Sequence, residues 1–213
     1  LQAIVGWWMV KSGLNENPYV SQYRLAFHLT NAVLILSILF WLTINTWFKK
    51  NIKFLPYNFT EIFIFFLLVL LLLTIISGAF MAGTHAGKSF NTYPLMNGQF
   101  LPDGYFLIEN FLINFFENTV AINFNHRWLA TLTFILIILF TFYMYSLKRY
   151  KNQKKSFVLI LVLALLQFFL GILTLLNNVQ IHLASLHQIN SMLLLISVLY
   201  TYHSIKRELK TYV

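Results

Sequence analysis

Apolar residues run along this chain in long unbroken blocks, and the polar residues collect between them. A bilayer-crossing helix needs about 20 mostly apolar residues, because ~30 Å of hydrocarbon is covered at ~1.5 Å per residue. Five blocks meet that length or come close, over residues 24–48, 59–83, 124–147, 157–176 and 183–204. A sixth, running to Ser12, supplies only about 13 Å of helix from Leu1 to Met9, and the chain opens on Leu rather than Met. The pattern predicts an all-α integral membrane protein, a helical bundle of five full transmembrane helices plus a partial first one. It also leads us to expect further sequence before residue 1.

The connection over 84–123 is the one long loop, and its second half has a helical period. Leu107, Ile108, Phe111, Leu112, Phe115 and Phe116 share one face, and Glu109, Asn110, Asn114, Glu117 and Asn118 the other. This predicts an amphipathic helix lying on the outer surface, either as a lid or as a plain membrane-surface anchor.

Composition agrees with a membrane location. Of the 213 residues 59% are hydrophobic and 10% charged, with a mean hydropathy of +0.70; soluble domains carry about 25% charged residues. There is no cysteine, which excludes disulfides, iron–sulfur clusters and thiolate zinc sites. The net charge of +9 would suit nucleic acid if it formed one patch, but it does not. Lys49, Lys50 and Lys53, then Lys148, Arg149, Lys151, Lys154 and Lys155, then Lys206, Arg207 and Lys210 fall in alternate connections and the C-terminal tail. The positive-inside rule turns this into topology: those connections and the C-terminus face the cytoplasm or matrix, and no nucleic-acid partner is expected.

Three of the six histidines lie early in apolar blocks that run from the outer face inward: His28, His126 and His187. The spacing puts each within about the first turn or so of its helix, at one depth. Ionisable groups are expensive there, and imidazole is a good haem ligand. A weak repeat organises them. Gln2-x-x-x-Gly6 followed by His28-Leu-Thr-Asn31 resembles Gln167-x-x-x-Gly171 followed by His187-Gln-Ile-Asn190. Residues 1–58 then read as the remainder of an N-terminal half with two helices, and 59–213 as a complete C-terminal half of four. His126 and His187 belong to one half and are expected to ligate one haem axially; His28 is the counterpart of His187 in the other. Arg127 either pairs a haem propionate or snorkels to the interface. Gln2 and Gln167 need hydrogen-bond partners within their spans, and Asn31 and Asn190 are placed to orient ligands. Gly78 with Ala82, and Ala79 with Gly83, have the small-x-x-x-small spacing of close packing. His85 and His182 read as loop residues and His203 as interfacial. Apart from Glu61 near an inner end, no carboxylate lies in a span, and P-loop, Rossmann and nucleophile-elbow patterns are missing.

Longer stretches resemble the haem A synthase (Cox15/CtaA) family. Trp7-Trp-Met-Val-Lys-Ser-Gly-Leu14 is similar to its GW-x-MVKSGL signature, and the stretch from Val20 to His28 to its VSxYRLAxH. Gly78-Ala-Phe-Met-Ala-Gly83, Ala86-Gly87 and Asn91-Thr-Tyr-Pro-Leu-Met96 resemble its GAFVAG…AG…NTFPLM run, Asn125-His126-Arg127 its NHR, and Gln167 to Leu175 with Leu186-His187-Gln188 its last helix pair. The resemblance implies eight transmembrane helices in two pseudo-repeated halves. It implies haem b held by His126 and His187 with Arg127 beside it, in 59–213 with its outer-side amphipathic loop 84–123. It implies haem O as substrate near a catalytic, iron-binding His28. The implied reaction oxidises a ring methyl of haem O to the formyl of haem A, by two successive hydroxylations and loss of water, for cytochrome oxidase biogenesis. Candidate partners are membrane lipid, a haem O synthase, an electron-donor protein, cytochrome oxidase assembly factors and a second copy of the chain. The implied location is the bacterial plasma membrane or the mitochondrial inner membrane.

This chain departs from the family pattern in two ways. The first two helices, with a substrate-half histidine and an acidic residue of the first outer loop, are not in it, which implies that this fragment alone is inactive. The cysteine pairs of some members are also missing, as in the proteobacterial and mitochondrial subgroup. The competing readings are a dihaem cytochrome b that only carries electrons, and a helical transporter with structural histidines; the lack of mid-membrane charge argues against the transporter.

Overall fold

The computed structural model describes residues 1–13, 19–48 and 59–208. Its helices are α1 (Gln2–Val10), α2 (Gln22–Trp47), α3 (Phe59–Gly83), α4 (Phe111–Glu117), α5 (Thr119–Ser146), α6 (Lys154–Leu176) and α7 (Ile181–Glu208). Short 3-10 turns occupy Ala86–Lys88 and Lys148–Gln153, and no strand occurs among the described residues. α2, α3, α5, α6 and α7 are long and apolar enough to cross a membrane, so the all-α membrane architecture holds. The connection carrying Lys49, Lys50 and Lys53, the boundary at 58, Leu14 of the first motif and Lys210 lie outside the described residues.

Helices α3, α5, α6 and α7 close into a ring, each packed on the next, with α5 diagonally opposite α7. α2 lies outside against α3 and α7, and α1 packs on α2. The starts of α2, α5 and α7 share one end: Tyr23 Oη donates to Glu117 Oε1 (2.9 Å) and Asn91 Nδ2 to Asn178 Oδ1. At the opposite end Asn45 meets His203, and Lys206 Nζ lies 4.0 Å from Glu61 Oε2. The apolar core runs from this end past the middle of the bundle, with Ile64, Leu67 and Ile75 from α3, Ile137 and Met144 from α5, Phe157 and Ile160 from α6, and Val198 and Ile205 from α7.

Helix starts differ from the apolar pattern because caps, not hydropathy, set them. Asn118 accepts a hydrogen bond from the Val120 N–H (3.0 Å), so α5 begins five residues before its apolar run. At 28 residues α5 is about 42 Å long, about 12 Å more than the hydrocarbon is thick, and its inner end meets Lys148 directly. The surplus therefore stands at the end opposite Lys148.

The outer loop corrects a second expectation. The amphipathic helix shrinks to the seven residues of α4, and of its expected polar face Asn114 and Asn118 point inward while Glu109, Asn110 and Glu117 stay exposed. Asn114 and Asn118 are 4% and 5% exposed, while Phe111, Leu112 and Phe115 face outward. Asn114 Nδ2 donates to the Tyr105 carbonyl, and Asn118 Nδ2 to the Gly104 and Tyr105 carbonyls and to Asn114 Oδ1. Irregular backbone has no ladder to satisfy it, so these amides replace one. A helical wheel cannot register this, because the carbonyls that Asn114 and Asn118 reach belong to an irregular stretch before the helix.

α5 clasps the same loop. Asn123, fully buried, donates from Nδ2 to the Ala86 carbonyl (2.7 Å) and accepts from Arg127 Nε (2.6 Å). Replacing it with Ala would leave both partners unsatisfied, a cost of about 1–3 kcal/mol. Asn123→Ala should therefore speed amide hydrogen exchange across 86–106 while the amides of 64–75 and 194–205 keep their protection. Unchanged exchange in the loop would show that the clasp does not hold it.

Candidate functional site

His126 is the eighth residue of α5, and His28 and His187 are each the seventh residue of α2 and α7. All three lie roughly 9–10 Å inside the start of their helices. They are thus closer to two turns deep than the single turn expected, but their depths match. All three helices start earlier than their apolar runs, by two residues in α2 and α7 and by five in α5, which is why the rings lie deeper than expected.

His126 is held by α3. Ser77 Oγ lies 2.7 Å from its Nδ1, and the same hydroxyl donates to the Thr74 carbonyl at 2.7 Å. A hydroxyl has one proton, so toward the ring Ser77 can only accept. With that proton on the Thr74 carbonyl, Nδ1 carries the hydrogen and Nε2 the lone pair. The next residue, Gly78, makes room: a Cβ there would sit 3.4 Å from His126 Cε1.

His187 is held by α6 in another way. Gln167 Nε2 lies 3.1 and 3.2 Å from its two ring nitrogens, and Gln167 Oε1 accepts from Asn190 Nδ2 at 2.8 Å. A Cβ at Gly171 would fall 3.0 Å from His187 Cε1. The α1–α2 pair repeats this almost atom for atom. Asn31 Nδ2 donates to Gln2 Oε1 (2.7 Å), Gln2 Nε2 lies 3.4 Å from His28 Nε2, and a Cβ at Gly6 would fall 3.1 Å from His28 Cε1. The sequence repeat is thus a repeat of contacts. Asn31 and Asn190 act on the glutamines rather than on the rings. His28 Nδ1 is buried with no partner.

The ring order puts His126 and His187 on opposite helices of the bundle. Arg127 points elsewhere. Its Nη1 donates to the Thr92 carbonyl (2.7 Å) and its Nη2 to the Phe90 carbonyl (2.9 Å), beside the Nε bond to Asn123. This is the reach of neither a snorkelling side chain nor a free carboxylate clamp; it ties the outer loop to α5 just past His126. Other assignments change as well. His182 is an exposed residue of α7 rather than a loop residue. His203 is buried and pairs with Asn45 Oδ1 (2.9 Å), against Trp41 and Phe48. His85 is a loop residue as expected, with φ 55° and its ring 4.4 Å from that of Tyr19. Of the small-residue pairs, Gly78 serves His126 and Gly83 lets α3 meet the start of α2 at Gln22. Ser77 was missed in the sequence, although a polar residue in a span beside a glycine is itself a signal that a partner is near.

Among the described residues no group of three His, Cys, Asp or Glu could hold a bare metal ion. Two opposed imidazoles suit an iron whose other ligands come from a flat macrocycle. The residues fit such a group. His126 presents a bare Nε2, and glycines stand where side chains would crowd either ring.

Comparison with known proteins points the same way. The sequence profile of the COX15-CtaA family, described as "Cytochrome oxidase assembly protein", matches residues 1–199. Three relatives named "Heme A synthase" are similar. That of Bartonella tribocorum is 39% identical over 192 residues, covering 88% of this chain and 52% of that protein. That of Nitrosospira multiformis is 35% identical, covering 98% and 59%, and that of Wolbachia pipientis wMel is 39% identical, covering 94% and 55%. The chain spans about half the length of the curated relatives it matches.

The glycine contacts set a graded test. On helix propensity alone, Ala in place of Gly should stabilise by up to about 1 kcal/mol, but overpacking costs typically 1–3 kcal/mol. Gly171→Ala, at 3.0 Å from the ring, should displace His187 and lose most bound haem in absorbance titrations, whereas Gly78→Ala, at 3.4 Å, should lose less. Equal retention in both would mean that the glycines are not there for the rings.

Proposed function

The chain belongs to the COX15-CtaA family of cytochrome oxidase assembly proteins, and from that premise we propose that it carries the haem b half and part of the substrate half of a haem A synthase. The observation that carries this reading is the opposed pair His126 and His187, each ring seated against a glycine of the adjacent helix. Residues 59–213 form the haem b half and residues 1–58 the remainder of the substrate half. The reaction is the conversion of haem O to haem A, a ring methyl becoming a formyl group through two successive hydroxylations and loss of water.

In the haem b half His126 and His187 would hold the group, and bound haem b would supply one-electron redox chemistry there. Ser77 holds the proton on Nδ1 of His126 and so keeps Nε2 available. Gln167 and Asn190 orient His187. Arg127 with Asn123 draws the outer loop against α5, which limits water at the mouth of the bundle; propionate pairing by Arg127 would use its remaining N–H groups. His28 would bind the haem O substrate, positioned by Gln2 and Asn31. Haem A leaves as product. An electron-donor protein, a haem O synthase, cytochrome oxidase assembly factors and a second copy of the chain are the partners proposed. The membrane is the bacterial plasma membrane or the mitochondrial inner membrane, with the C-terminus on the cytoplasmic or matrix side, as the basic connections support.

A second reading is favoured by one observation. The contacts around His28 and His187 are so alike that both could be permanent haem sites of a dihaem electron carrier. Conversion of haem O in a cell that makes it separates the two.

The test is spectroscopic. The chain, expressed under haem-replete conditions and purified in detergent, should give a low-spin b-type reduced-minus-oxidised spectrum and a b-type pyridine haemochrome, both lost in His126→Ala. A wild-type chain free of haem would sink the proposal for this half.

A further inference from the structure

The two faces of the proposed haem b site differ in what they offer an imidazole. Beside His126 the single hydroxyl proton of Ser77 goes to the Thr74 carbonyl, so Ser77 accepts from Nδ1–H. Beside His187 the direction of donation is reversed. Asn190 Nδ2 donates both to the Leu163 carbonyl (3.0 Å) and to Gln167 Oε1 (2.8 Å). The backbone carbonyl fixes which end of the Asn190 amide faces it, and that fixes Gln167 in turn. The carbonyl of Gln167 is taken, so only its NH2 can face the ring, and a carboxamide NH2 only donates. His187 therefore meets a donor where His126 meets an acceptor.

A ligating imidazole becomes a stronger ligand when its other ring N–H is given to an acceptor, because ring basicity rises. A donor over the ring face, 3.1 and 3.2 Å from the two nitrogens, gives no such help and draws electron density from the ring. Resting on the haem reading above, we propose that Gln167 is a positioning residue that makes His187 the weaker, exchangeable axial ligand and leaves His126 the fixed one. The same donor chain, Asn31 to Gln2 to His28, recurs in the α1–α2 pair, with Gln2 Nε2 also spent on the His28 carbonyl (3.1 Å) and His28 Nδ1 left without an acceptor. A weak ligand at that position suits a site whose occupant must leave after reaction. The repeat thus repeats a ligand strength as well as a shape, and Ser77 breaks the symmetry in favour of His126.

Two measurements test this, one of them independent of haem. In the haem-free chain with nitrogen-15-labelled histidine, NMR should find His126 protonated on Nδ1 and bare on Nε2, and Ser77→Ala should remove that preference. In the haem-loaded, dithionite-reduced chain, carbon monoxide should displace His187. Gln167→Glu, which puts an acceptor of the same shape beside the ring, should weaken carbon monoxide binding roughly tenfold, the order expected of one hydrogen bond gained. Gln167→Leu, with neither donor nor acceptor, should fall between the two. His187→Ala should keep haem as a five-coordinate, carbon monoxide-binding form, whereas His126→Ala loses it. Equal carbon monoxide affinity in wild type and both Gln167 variants, or haem loss to the same degree in His126→Ala and His187→Ala, would overturn the inequality while leaving the haem site itself standing. A wild-type chain without haem would instead remove the haem reading, and the His126 tautomer would still test the donor argument.

Discussion

Glycines 6, 78 and 171 bring a neighbouring helix so close to a histidine ring that a Cβ would lie 3.0–3.4 Å from Cε1. Each ring thereby packs against backbone rather than against a side chain, which leaves its nitrogens to the sides. A buried imidazole in a membrane bundle needs partners for those nitrogens, since no water is at hand. The residue one turn before the glycine on α1 and α6, and the residue just before it on α3, supply them: Gln2, Gln167 and Ser77. Close approach and polar satisfaction are therefore one arrangement. A side chain at the glycine position would push the ring away from its hydrogen-bond partner as well as from its seat.

The rest of the bundle makes that arrangement possible by dividing its labour along the membrane normal. The inner half is closed by interlocked apolar side chains, from Ile64 to Ile205, which sets the helices' spacing without using polar groups. The outer half can then hold polar groups without loss of the overall packing. Above it the loop folds down against α5 through Asn123, Arg127 and the pair Tyr105–Asn125 (2.9 Å). Its buried asparagines satisfy irregular backbone, and its phenylalanines face outward, level with the start of α5. An apolar exterior and a polar interior are what an interfacial environment favours, because outside it lies lipid and inside it lies unpaired peptide.

The pseudo-repeat gains physical content from this. Gln and Gly on one helix, one turn apart, face His and Asn on the next, three residues apart, so the four residues make two rungs between antiparallel helices. Such a unit can be copied as a helix pair without reference to its surroundings. The α3–α5 pair solves the same problem with Ser77 and Gly78 and a different direction of proton donation. Helix pairs of two kinds then face each other across the bundle, so the environment of the two rings is unequal by construction.

The spans, the outer long loop, the shared depth of His28, His126 and His187 and the Gln–Gly/His–Asn repeat could all be read from the chain itself. Lipid imposes them: a helix must be apolar over a fixed length, and any polar group inside must be kept for a reason, so both leave a mark in one dimension. Tertiary structure alone decided that Asn114 and Asn118 turn inward, that Arg127 grips the Phe90 and Thr92 carbonyls, that His203 pairs with Asn45 across 158 residues of chain, and that Ser77 fixes the proton on His126. Each of these depends on where a carbonyl or a hydroxyl from another segment happens to point. Direction of hydrogen bonding has no period along a sequence, and appears only once the helices are side by side.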